Sequence, residues 1–97
     1  MKWLLIAALG TLVCRGALAD DAPAPLKLGT GADMAGAYCN VCHTSDYIIM
    51  NSMFLTPDQW KAEVTKMRTV FGAPIDDATA GQIIAYLATH YAAPAKP

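Results

Sequence analysis

Apolar side chains recur at helical spacing along two stretches of this chain, and a third helical stretch runs into a pair of cysteines. In the first, Trp60, Val64, Met67 and Phe71 follow one another at three- to four-residue intervals and so share one face of a helix. Thr56-Pro57-Asp58-Gln59 predicts its start, with threonine at the cap, proline at the first helical position and glutamine placed to complete a capping box. Gly72 and Pro74 predict its end. In the second stretch, Ile83, Tyr86, Leu87, His90 and Tyr91 mark the buried side of a helix opening at Asp76 or Asp77. In the third, Thr30 is the expected cap of a short helix through Ala32, Met34, Ala35, Ala37 and Tyr38 to Cys39. Gly36 and Gly81 weaken their helices, which predicts points where another helix comes close. Residues 44–55, "TSDYIIMNSMFL", read as a loop whose large apolar side chains are expected to cover something apolar. No stretch makes a good strand. The expectation is all-α, about three helices with long connections.

The N-terminus follows a different pattern. Lys2 precedes the apolar run "WLLIAALGTLVC", and "ALA" at 17–19 offers the small-x-small pattern of a cleavage site. Arg15 interrupts the run, which is too short to span a bilayer, so residues 1–19 read as a cleaved export signal and not a membrane anchor. Cys14 lies in this segment, and Val13 and Arg15 on either side of it argue against lipid attachment. Residues 20–29, "DDAPAPLKLG", read as an extended or mobile lead-in, 30–93 as one domain, and 94–97 as a frayed tail.

Residues 20–97 carry five basic against eight acidic side chains, a net charge of −3, which excludes a basic nucleic-acid footprint. A chain of this size buries only a marginal core and gains from a staple, metal or cofactor. Beyond the signal, its only cysteines are Cys39 and Cys42, too close together to staple much.

Those two cysteines stand in "CNVCH", residues 39–43. A thioredoxin-like dithiol needs a neighbouring β-α-β pattern, which is missing here. A zinc site needs further ligands, and His90 is the only other histidine. Haem c attachment accounts for each residue. Cys39 and Cys42 form thioethers to the two vinyl groups, and His43 takes the proximal position on the iron. Export agrees, since haem c is attached outside the bacterial cytoplasm, which places the protein in the periplasm.

The sixth iron ligand has several candidates. Met67 lies in phase with the apolar stripe and just before the "GAP" break, although a stripe methionine is often simply core. Met53 and Met50 are the alternatives, Met34 falls on the proximal side, and His90 would give a second imidazole. Trp60 is expected to pack against the haem. Lys61, Lys66 and Arg68 suit either a partner, the propionates or a plain polar helix face. Two filled axial positions leave iron able to pass electrons and unable to bind substrate. The chain is therefore expected to lack a catalytic site of its own.

From "CNVCH" onward the sequence resembles the class I c-type cytochromes, whose fold places a few helices around one covalent haem. More narrowly, "CHTSDYI", "MNSMFL", the Trp60 to Met67 pattern and "GAPI" resemble the cytochrome subunit of bacterial sulfite dehydrogenases, over roughly residues 36–91. That resemblance implies a heterodimer with a molybdenum-cofactor subunit that oxidises sulfite, and a soluble cytochrome c as electron acceptor. It also implies Met67 as the distal ligand. A free carrier, or a subunit of another periplasmic dehydrogenase, fits the same residues. A haem-based gas sensor with an open sixth position is the reading from a different class.

Overall fold

The computed structural model describes residues 24–95. Across them the chain forms four helices: α1 (Ala32–Cys39), α2 (Asp46–Asn51), α3 (Pro57–Thr69) and α4 (Asp77–His90). There is no strand among the described residues, and no helix there is long and apolar enough to cross a membrane. The expected export signal with Cys14, the start of the lead-in and the end of the tail lie outside the described residues.

α3 forms where its start signal places it. Gln59 N–H donates to Thr56 Oγ1 at 3.3 Å, and Thr56 N–H donates back to Gln59 Oε1 at 2.9 Å, completing the capping box with Pro57 at the first turn. Such a cap contributes about 1 kcal/mol. Lys66 and Arg68 sit in the last turn, where cations complement the helix dipole. Gly72 adopts φ 70°, a left-handed conformation that turns the chain back toward α4. α4 opens on Asp76, whose Oδ1 accepts from Thr79 N–H at 2.7 Å. That backbone hydrogen bond holds the Asp76 carboxyl below its ordinary range.

α4 is the central element, with α1 and α3 each packed against it. Its buried side presents Ala80, Ile83, Tyr86 and Leu87, which meet Ala35 of α1 and Trp60 and Val64 of α3. His90, expected on that side, is only half-buried.

Three expectations are corrected. Among the described residues the helices number four, because residues 46–51 of the supposed loop form α2. One helical turn and a half is too short to show a period, and its cap residue Ser45 is recruited by tertiary structure. The Ser45 hydroxyl, fully buried, donates to the Ala24 carbonyl at 2.6 Å and makes no capping bond. Of the apolar side chains in this segment, Ile48 enters the core, whereas Ile49, Met50, Met53 and Phe54 are exposed. The cap of α1 is Gly31 and not Thr30. Finally, Gly36 and Gly81 have no neighbouring atom within 4 Å of an added Cβ. The close approaches are at Gly29, which faces the His90 ring, and at Gly31, where φ is 92° and a Cβ would stand 2.9 Å from both the Gln82 carbonyl oxygen and Tyr86 Cβ. The chain's entry into α1, not either helix interior, is what presses on α4.

The described part of the lead-in is extended and fastened to α4. Tyr86 Oη donates to the Lys27 carbonyl at 2.5 Å, Lys27 N–H donates to Tyr91 Oη at 2.7 Å, and Lys27 Nζ donates to the His90 carbonyl at 2.9 Å. Two tyrosines thereby satisfy the backbone N–H and carbonyl of Lys27, in a segment with no helix or sheet of its own.

Candidate functional site

Cys39 is the last residue of α1, and the chain then turns through Asn40, Val41 and Cys42 to His43. Asn40 Nδ2 donates to the Gly36 carbonyl at 3.0 Å, satisfying one of the acceptors left open at the end of α1. Cys39 lies half-buried against the core and Cys42 is exposed, and both are free thiols. Burial pushes the Cys39 thiol up from its ordinary value, the reverse of the shift that makes a CxxC cysteine a reactive thiolate.

His43 Nδ1 stands 3.1 Å from the Thr44 carbonyl oxygen. A carbonyl only accepts, so this contact places the proton on Nδ1 and leaves the Nε2 lone pair available to a metal. Metal-ligating histidines are commonly oriented by such a bond to backbone.

Both cysteines and His43 line one cavity of about 370 Å³, together with Tyr38, Val64, Met67, Phe71, Ala73, Ile75 and Ile83. Ile83 belongs to α4, and Val64 and Met67 to α3. None of the lining residues is an acid, a lysine or an arginine. The cavity falls within the size range of cofactor and ligand sites.

Phe71, Ala73 and Ile75 make a wall from the turn between α3 and α4 that the sequence marked only as a helix break. Ala73 N–H donates to the Met67 carbonyl at 2.9 Å, and Arg68 grips the far side. Its Nε donates to the Ile75 carbonyl at 2.8 Å and its Nη2 pairs with Asp77 at 2.6 Å. Arg68, considered above for a partner or for propionates, thus braces this wall. The alternation of Phe71, Ala73 and Ile75 with Gly72 and Pro74 is the signal in the sequence for a segment with one lining side.

A smaller cavity of about 30 Å³ adjoins the same residues, sharing Cys39, His43, Val64 and Met67 and adding Tyr47, Ile48, Trp60, Glu63 and Leu87. Trp60 is therefore placed behind the larger cavity and not on its wall. It is 2% exposed, and its indole N–H is committed to the Tyr91 carbonyl. Tyr47 packs its ring on His43 with centroids 5.3 Å apart and planes tilted by 52°. Its hydroxyl donates to Glu63 Oε2 at 3.0 Å, and Lys66 Nζ donates to Glu63 Oε1 at 2.7 Å. The Lys66 ammonium is the main influence holding the Glu63 carboxyl below its usual range, while burial, then Glu63, raises the Tyr47 phenol.

The other candidate ligands are elsewhere. Met53 and Met50 are 73% and 70% exposed, and neither lines either cavity. Met34 is also exposed and outside the lining. His90 packs its ring against Tyr86, centroids 5.0 Å apart, and against Gly29, and it lines neither cavity. No group of three or more histidine, cysteine or acidic side chains among the described residues is placed to hold a metal ion by itself. No protein-family model matches the sequence, and no curated protein shows significant similarity to it.

Proposed function

We propose that this chain is a periplasmic monohaem c-type cytochrome of class I fold. It serves as the electron-transfer subunit of a dehydrogenase and has no catalytic site of its own. The observation that carries the reading is the convergence of Cys39, Cys42, His43 and Met67 on one uncharged cavity. The first three are neighbours in sequence and converge trivially; Met67 arrives on a different helix.

These residues fit haem c. Cys39 and Cys42, both free, are the thioether donors, and His43 presents Nε2 as the proximal nitrogen. Met67 supplies the distal sulfur, a soft and neutral ligand that favours ferrous iron and raises the potential. The group supplies a one-electron ferric/ferrous couple when bound. Around it, Val64, Ile75 and Ile83 exclude water and lower the local dielectric. With His43 and Met67 committed to the metal, neither oxygen nor a substrate has a vacant position, so the residues favour electron transfer over sensing or catalysis.

The narrower assignment rests on the sequence resemblance. It names a molybdenum-cofactor subunit oxidising sulfite as the electron donor and a soluble cytochrome c as the acceptor.

The test is to produce the full-length chain in a bacterium equipped for haem c maturation. Haem that stays on the denatured polypeptide, and is lost in Cys39→Ala with Cys42→Ala, supports the reading. A folded, exported and colourless protein ends it. A high-spin ferric spectrum, with rapid carbon monoxide binding once the iron is reduced to the ferrous state, would favour the sensor instead. Recovery of a molybdenum protein with the native chain tests the partner.

A further inference from the structure

We infer that Tyr47 and Glu63 form a clamp that sets the spacing of the two iron ligands, an inference that rests on His43 and Met67 filling those positions. Tyr47 follows His43 by four residues, and Glu63 precedes Met67 by four. The Tyr47–Glu63 hydrogen bond of 3.0 Å therefore spans the two ligand-bearing segments one turn away from the ligands themselves. All four side chains line the same 30 Å³ cavity.

The bond is placed where little else holds. α1 and α3 pack against α4, whereas α2 approaches none of the other helices as closely. Among the described residues, Tyr47 to Glu63 is the only hydrogen bond joining α2 to α3. Ile48 and Ser45 fix α2 to the core and to the lead-in, and neither reaches α3 by a polar contact. The clamp is oriented at both ends. Lys66 takes the second carboxylate oxygen of Glu63, whose side chain is 20% exposed, so Oε2 is turned toward Tyr47. The Tyr47 ring rests on the His43 ring, and Asn51 Nδ2 holds the Tyr47 carbonyl at 2.8 Å. An isolated surface pair of this kind contributes little. Here the same contact acts on a ligand distance, and its effect is expected in the iron–sulfur bond before it appears in global stability. Tyr47 and Glu63 are positioning residues, acting through His43 and Met67.

The experiment uses the full-length haem-loaded chain and imidazole as the probe that displaces the methionine sulfur. Tyr47→Phe keeps the ring on His43 and removes only the hydroxyl. Imidazole is expected to displace the ligand about fivefold faster, the effect of one ordinary hydrogen bond. The methionine–iron charge-transfer band should weaken at lower temperature than in the wild type, with the melting curve nearly unchanged. Glu63→Ala behaves alike, and Glu63→Gln, whose single amide oxygen is shared between Tyr47 and Lys66, gives a rate between those of Glu63→Ala and the wild type. The clamp is refuted if Tyr47→Phe matches the wild type, or if Glu63→Gln is as damaging as Glu63→Ala. A wild-type chain that carries no haem, or haem without the methionine band, overturns the site assignment and the clamp together. An intact wild-type band with unaltered variants overturns the clamp alone.

Discussion

Trp60 donates its indole N–H to the Tyr91 carbonyl across 2.8 Å, tying the first turn of α3 to the residue that caps α4. Both residues are buried, at 2% and 4% exposure. The same Tyr91 receives Lys27 N–H on its hydroxyl, so one residue gathers α3, α4 and the lead-in. The cavity lies on the other side of this junction, and its shape depends on the junction holding.

Trp60→Phe should therefore destabilise the protein by about 2 kcal/mol, combining an orphaned buried carbonyl with lost packing. Denaturant unfolding of the protein reads this directly. Unchanged stability would show that the indole nitrogen does not tie the helices together.

The glycines give opposite expectations. Gly31→Ala places a Cβ 2.9 Å from two atoms of α4 at φ 92°, and should lower the melting temperature markedly. Gly81→Ala, in a helix interior with open space around it, should stabilise α4 by up to about 1 kcal/mol. Thermal unfolding of the two variants side by side checks both signs.

On the haem c proposal, Met67→Ala should abolish the methionine–iron charge-transfer band and lower the reduction potential, since a weaker or absent sulfur ligand favours ferric iron. Met50→Ala and Met53→Ala should leave the band intact, both side chains being outside the cavity. Loss of the band in Met53→Ala alone would reassign the distal ligand.

Stability should fall steeply at high pH. Burial, with the Tyr91 hydroxyl close by, pushes the Tyr86 phenol from its ordinary 10 up to about 12. The folded state holds this proton more tightly than the unfolded chain. The contribution is thus complete below pH 10 and disappears between 10 and about 12. Tyr86→Phe should flatten the alkaline limb of the pH–stability curve, while removing the hydrogen bond to the Lys27 carbonyl. Denaturation midpoints measured across that range decide it.

Much of this protein is determined locally. The capping box at Thr56 and Gln59, the proline at the first turn of α3, and the Asp76 cap of α4 act within four residues, and they form as their sequence implies. The grouping of Cys39, Cys42 and His43 is likewise local, because the three lie within five consecutive residues. What only the tertiary structure decided depends on distant atoms meeting. α2 is too short for a period and is held by Ser45 to Ala24. One close approach falls at Gly31, because Gln82 and Tyr86 of another helix lie there. Met67, Met53 and Met50 look alike as apolar side chains near a break. Only the packing of α3 on α4 brings Met67 to the cavity and leaves the other two in solvent, since a stripe specifies which face is buried and not what that face will meet.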